Sequence, residues 1–93
     1  MASVTKITLT AGRKDSREYN GEWVSHHTEM SAELLLNEQD DWKQTVWFHQ
    51  YQLELQVLTA QLMKGAISSE QAKVSKETMR TLLTKAGVKL DDA

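Results

Sequence analysis

The segment Tyr19-Asn20-Gly21-Glu22 decides the fold of this chain, because Asn-Gly is the dipeptide most typical of a two-residue type I′ β-turn. That turn needs positive φ at both central residues, which asparagine and glycine tolerate better than other residues. With Asn20-Gly21 as the loop, Tyr19 faces Glu22, and the residue numbers of every opposed pair sum to 41. The segment therefore predicts a β-hairpin, which the flanking sequence extends over 5–36.

The segments on both sides of the turn alternate between apolar and polar residues, as strands do. The register predicted by the turn places Ile7 opposite Leu34 and Leu9 opposite Ala32, all facing the long helix that follows. A slip of one residue would oppose apolar to polar positions. The pattern predicts a ribbon with an apolar base and a polar tip at 13–27, with Gly12 as a position where a β-bulge could bend the tip away.

Residues 38–64 contain neither glycine nor proline and predict one long helix. Asn37 or Asp40 is its expected N-cap, and Gly65 is the expected residue after its end. Apolar residues occur on two adjoining stripes, so the apolar arc is wider than a thin hairpin can cover. The first stripe is Trp42, Val46, His49, Leu53, Val57 and Ala60, and the second is Trp47, Tyr51, Leu55, Leu58 and Leu62.

A second helix is predicted over 68–86, beginning at Ser68 or Ser69 and ending before Gly87. The sequence around Val74-Ser75 leaves a break in this helix open. A tail at 88–93 follows, with its last four residues expected to fray. The predicted fold class is α+β: a long antiparallel β-hairpin packed on a long amphipathic helix, followed by a shorter C-terminal helix, in a single domain covering 1–93.

Composition narrows the classes of function. The net charge of the 93-residue chain is −2, but residues 26–64 alone carry two basic and six acidic groups. An acidic middle is not typical of a duplex-DNA-binding protein. The chain has no cysteine, which excludes thiol catalysis and thiolate metal sites and favours the cytoplasm for so small a domain. The N-terminus lacks the apolar core of a signal peptide, and no apolar run has the length to span a membrane.

The sequence carries no motif for catalysis, a metal or a cofactor. His26 and His27 are neighbours on a strand and so point to opposite faces, and His49 has no histidine four residues later. Asp15, opposite His26 in the register, is its expected hydrogen-bond partner. Phosphate-binding glycine loops and the nucleophile motif of hydrolases are absent from the sequence. We therefore expect that the protein is not an enzyme and binds neither a metal nor a cofactor.

The predicted hairpin tip is a candidate site for single-stranded nucleic acid. It mixes cationic groups with aromatic surfaces on which bases stack, and its candidate residues are Arg13, Lys14, Arg17, Tyr19 and Trp23. The three basic residues are expected to be exposed and to contribute little to folding. The alternative is a solvated ribbon whose charges prevent association between strand edges.

The second stripe of the long helix is a candidate oligomer interface. Part of it should stay exposed in a monomer, because the hairpin offers one apolar face and the second helix is short. The expected interface residues are Trp47, Tyr51, Leu55, Leu58 and Leu62. The open edge of the hairpin is the other candidate, since two ribbons can pair into four strands.

The runs Ile7–Arg13 and Thr28–Leu34, followed by an acidic start to a long helix, resemble a class of small phage-encoded accessory proteins of unassigned function. The resemblance covers about two-thirds of the chain. It implies a phage or mobile-element protein that acts by binding, and it carries no catalytic residues. The leading hypothesis is a homo-oligomeric, non-catalytic binding protein acting on a host or viral protein in the host cytoplasm; the alternative is a single-strand nucleic-acid accessory protein.

Overall fold

The computed structural model describes residues 4–90. Two strands precede two helices: β1 (Val4–Tyr19), β2 (Glu22–Asn37), α1 (Trp42–Met63) and α2 (Ser69–Lys85). The strands form one antiparallel hairpin. The α+β class, with a hairpin followed by a long and then a shorter helix, is therefore confirmed.

The turn between the strands has the predicted backbone. Asn20 and Gly21 have φ angles of +52° and +84°. Pairing begins with Tyr19 opposite Glu22 and continues without interruption to Val4 opposite Asn37, at the constant sum of 41. The predicted register is confirmed along the whole ribbon.

The β-bulge considered at Gly12 does not occur. Gly12 pairs with Glu29 in an unbroken ladder, and it is not among the glycines with positive φ. A Cβ at this position would meet the Cγ of Glu29 at 3.7 Å and Nε2 of His27 at 3.8 Å, which are ordinary contacts. Neither backbone geometry nor space requires a glycine here.

The face of the ribbon that carries odd-numbered residues of β1 and even-numbered residues of β2 packs on α1. Its centre is a small core of four buried residues with four partly buried neighbours around it. The four buried residues are Leu9, Ala11, Leu53 and Val57, and the neighbours are Ile7, Met30, Leu34 and Val46. Packing of Ile7 and Leu34 against the helix is thus confirmed, whereas Ala32 lies on the same face but is exposed.

Helix α1 begins later than predicted, because the residues before it form a separate turn. The carboxylate of Asp40 accepts a hydrogen bond from the backbone N–H of Asn37, and the side chain of Asn37 accepts one from Gln39. Neither residue is therefore the N-cap. Asp41 has that role and accepts from the N–H of Gln44 at 3.3 Å. The predicted end is confirmed, with Lys64 as C-cap and Gly65 at φ +75°.

Helix α2 is continuous. Its N-cap is Ser68, which forms a capping box with Gln71, and it ends just before Gly87 as predicted. The break considered near Val74-Ser75 does not occur, and the hydroxyl of Thr78 donates to the carbonyl of Val74 within the helix.

The chain after α2 returns to the start of α1. Val88 is 3% exposed, and the backbone N–H and C=O of Lys89 both bond to the side chain of Gln44. The first residues of the predicted tail are therefore docked. Of the four residues expected to fray, Leu90 is half-buried, and residues 91–93 lie outside the described part of the chain.

Each strand of the ribbon has one edge without a strand neighbour. Long side chains of α1 and its C-cap reach over both edges: Gln50 donates to the carbonyl of Thr10 on β1 at 3.0 Å, and the C-cap Lys64 donates to that of His27 on β2 at 3.0 Å. The helix therefore crosses the ribbon from the β1 side towards the β2 side, and these two side chains satisfy one edge carbonyl each.

Candidate binding surfaces

The hairpin tip does not bring the five predicted nucleic-acid-binding residues together. Side chains alternate between the two faces of the ribbon, so Arg13, Arg17 and Tyr19 lie on the face towards the helices. Lys14 and Trp23 lie on the opposite face, where Trp23 is 71% exposed. A single strand of nucleic acid lying on one face would therefore meet only two or three of these residues.

Two of the five predicted tip residues, Arg17 and Tyr19, bind the chain at the end of α1. Arg17 Nη1 donates to the carbonyl of Gly65 at 2.7 Å, and the Tyr19 hydroxyl donates to the same oxygen at 3.0 Å. The guanidinium of Arg17 also lies 5.8 Å from the centre of the Tyr19 ring. A cation at this position is favoured because a helix C-terminus carries partial negative charge. These contacts give Arg17 and Tyr19 a structural role.

Arg13 links the ribbon to α2. Its Nε donates to the carboxylate of Asp15 at 2.8 Å and its Nη1 donates to the hydroxyl of Ser75 at 3.1 Å. The side chain is 30% exposed, so the expectation of a freely exposed basic group is wrong for Arg13. Of the three predicted phosphate-binding cations, only Lys14 lies on the face of the ribbon that the helices do not cover.

A buried glutamine, Gln61 of α1, holds the ribbon to the helix beyond the apolar core. Its side-chain oxygen accepts from the Thr28 hydroxyl at 2.7 Å. Its side-chain nitrogen donates to the Asp15 carboxylate at 3.1 Å and to the His26 carbonyl at 2.8 Å. Gln61 is 0% exposed, so these partners replace its hydration completely.

Asp15 is the titratable group of this network. Partial burial would raise the pKa of its carboxyl group, but the hydrogen bonds from Arg13 and Gln61, together with the charge of Arg13, outweigh burial and lower it. Asp15 pairs with His26 in the register, but the donors that reach its carboxylate are those of Arg13 and Gln61 rather than the predicted histidine ring.

Sequence reasoning missed Gln61. The available signal was its position four residues after Val57 and eight after Leu53, which places it on the apolar stripe that forms the core. A polar residue at a core position indicates a specific buried partner, and that partner is Thr28, the buried polar residue of β2.

A groove of about 690 Å³ lies between α1 and α2. Its sides are mostly apolar, with Trp47 of α1 45% exposed and Leu82 of α2 63% exposed. Polar groups of α1 occupy the two ends, Lys43 at one and Glu54 at the other. The residues that line it are Lys43, Trp47, Gln50, Tyr51, Glu54, Met79, Leu82, Leu83, Ala86 and Val88.

Helix α2 covers the predicted interface stripe unevenly. Tyr51 and Leu58 are 2% and 5% exposed, so neither side chain is available to another chain. Trp47 remains exposed in the groove. Leu55 and Leu62 line a smaller hollow of about 280 Å³ on α1, beside Lys73 and Lys76 of α2. The stripe therefore presents two separate exposed parts instead of one continuous surface.

Across residues 4–90, histidine, aspartate and glutamate side chains do not gather in threes at a spacing suited to a metal ion. Neither α1 nor α2, the two helices of this range, has the length and apolarity needed to cross a membrane.

Comparison of the chain with known protein families, with curated proteins and with solved structures found no match.

Proposed function

We propose that this protein is a non-catalytic binding protein that associates with itself and acts on another macromolecule through protein–protein contacts. The observation that carries the proposal is the groove between α1 and α2, whose apolar sides include the half-exposed Trp47. Exposed apolar concavities with an aromatic residue are typical of protein interfaces, where tryptophan contributes a large share of the binding energy.

Weak attachment of α2 supports the same proposal. No residue within α2 is fully buried, and apolar side chains such as Val74 and Leu82 are 55% and 63% exposed. An amphipathic helix with so little burial is stabilised further when a partner covers it. Association would therefore complete the packing of α2.

Sedimentation equilibrium at micromolar concentrations tests self-association. We expect an assembly above the 10.6 kDa of one chain. Trp47→Ser should weaken it by at least about tenfold, because the indole is lost from the centre of the contact. Trp42→Ser is the matched control, since Trp42 is on the same helix and 65% exposed but lies outside the groove. A wild-type chain that stays monomeric at 100 µM would contradict the proposal.

The remaining parts of the proposal come from the sequence. The absence of cysteine supports a cytoplasmic location, and the resemblance to small phage-encoded accessory proteins supports a host or viral protein as the second partner. Affinity capture with wild-type and Trp47→Ser protein tests this part. We expect the partner to bind the assembled protein, so Trp47→Ser, which weakens self-association, should also weaken capture, and equal capture by both would contradict a requirement for self-association.

Single-stranded nucleic acid is the alternative ligand, supported by Lys14 and Trp23 on the uncovered face of the ribbon. This alternative predicts that Lys14→Ala combined with Trp23→Ala weakens oligonucleotide binding and lowers its salt dependence. Fluorescence anisotropy with a labelled oligonucleotide measures both. Wild-type protein that binds no oligonucleotide at low salt would exclude this ligand.

A further inference from the structure

The groove between α1 and α2 has opposite charges at its two ends. Lys43 and Glu54 belong to the same helix and line the same groove. They are 11 residues apart, which is close to three helical turns, so they lie on one face of α1 about 16 Å from each other. Trp47 and Gln50 line the groove midway between them.

Both ends of the groove are fixed by contacts within the chain. Lys43 Nζ donates to the carbonyl of Ala86 at 2.8 Å, which ties the first end to the C-terminus of α2. At the second end, the carboxylate of Glu54 accepts a hydrogen bond from Gln50 at 3.1 Å. Each charge therefore has a defined position along the apolar lining.

This arrangement is self-complementary under a two-fold rotation. Reversing the direction of α1 exchanges its two ends, so an antiparallel copy brings a lysine to each glutamate. A parallel copy would oppose lysine to lysine and glutamate to glutamate. The residue numbers 43 and 54 have the same sum as 47 and 50. A two-fold axis that passes between Trp47 and Gln50 therefore places Lys43 opposite Glu54 and Trp47 opposite Gln50 at the same time.

Resting on the self-association proposed above, we infer that the groove is the interface with a second copy of this chain, with the two α1 helices antiparallel across a two-fold axis. Lys43 then faces the partner's Glu54 at each end of the contact, and Trp47 of each copy lies opposite the partner's Gln50 in the middle of it. Closed two-fold dimers are the commonest soluble oligomers, and their interfaces use one patch twice.

The opposed ends determine which pairing of copies is allowed. Charges at the rim of an interface contribute little affinity themselves, but like charges placed opposite each other are strongly unfavourable. The apolar lining therefore provides the attraction, while the lysine and the glutamate select the antiparallel orientation.

Charge reversal tests the geometry. Lys43→Glu should oppose two glutamates at each end, and Glu54→Lys should oppose two lysines, so each variant alone should dimerise at least about tenfold more weakly than the wild type. Mixing the two variants in equal amounts restores an attractive pair at each end. Dissociation constants from sedimentation equilibrium should then return to within about threefold of the wild-type value. The doubly reversed variant should also dimerise like the wild type.

The same set of variants distinguishes a failure of the proposed self-association from a failure of the antiparallel arrangement. A monomeric wild-type chain would refute the proposed self-association, and this inference with it. A wild-type dimer that tolerates both reversals, or variants that neither mixing nor double reversal restores, would refute only the antiparallel arrangement. The doubly reversed variant also controls for the bond from Lys43 to Ala86, since loss of that bond alone would not be repaired by a change at position 54. Circular dichroism checks that every variant folds.

Discussion

Replacing Gln61 with leucine is expected to destabilise the fold strongly, although leucine has a similar volume and is apolar. The substitution leaves the Thr28 hydroxyl without its acceptor at a site that is 8% exposed. An unsatisfied buried polar group costs about 1–3 kcal/mol. The Asp15 carboxylate also loses a donor, which for a charged acceptor is worth about 1.5–3 kcal/mol.

Several effects reduce the total loss of stability expected for Gln61→Leu. Burial of the leucine side chain is favourable, Asp15 keeps the bond from Arg13, and Thr28 still accepts from Lys64. We therefore expect the free energy of unfolding to fall by about 2–4 kcal/mol. That is a large part of the 5–15 kcal/mol or so that holds an ordinary domain together.

Urea denaturation at a fixed protein concentration measures this loss, because association would otherwise shift the midpoint. Gln56→Leu is the matched control, since Gln56 is an exposed glutamine of the same helix and should change stability by less than about 0.5 kcal/mol. Thr28→Val combined with Gln61→Leu completes a double-mutant cycle and should cost clearly less than the two single changes added. A Gln61→Leu protein as stable as the wild type would refute the assignment of Gln61 as the residue that holds ribbon to helix.

Two other predictions concern the ribbon. Gly21→Ala should lower the free energy of unfolding by about 1 kcal/mol, because φ is +84° at this position. Gly12→Ala lies in regular strand geometry and should leave stability unchanged or raise it. Urea denaturation that ranks the two variants the other way would contradict the register described above. The pKa of Asp15 is lowered in the folded chain, so its contribution to stability is complete above the unfolded pKa of about 3.9 and is lost as pH falls through the lower folded value. Asp15→Asn should therefore flatten the dependence of the unfolding free energy on pH below about pH 4, and an unchanged slope in denaturation curves would exclude this role.

The hairpin was predictable because two independent signals agree in the sequence. Asn20-Gly21 determines the register, and the alternation around Ile7 and Leu34 gives the same pairing. The start of α1 was less predictable, since three side chains near it can cap a helix. Only the local geometry shows that the Asp40 carboxylate bonds to the N–H of Asn37, so that Asp41 is the N-cap.

The use of the tip residues could not be predicted from the sequence. The residue types arginine and tyrosine do not show whether the side chain binds a phosphate of a ligand or a carbonyl of the same chain. Their partner depends on how far α1 extends along the ribbon, and α1 ends where Gly65 meets both Arg17 and Tyr19. The groove depends in turn on the position of α2 against α1, which no turn or register in the sequence determines.

The constant register of the ribbon also has a consequence for the order of folding. All strand pairs are nested around one turn, from Tyr19 opposite Glu22 to Val4 opposite Asn37. Each pair forms next to the previous one, so the ribbon can grow without closing a new long loop at any step. We therefore expect Gly21→Ala to act mainly by slowing folding and Gln61→Leu mainly by accelerating unfolding, a division that stopped-flow measurements of both rates would detect.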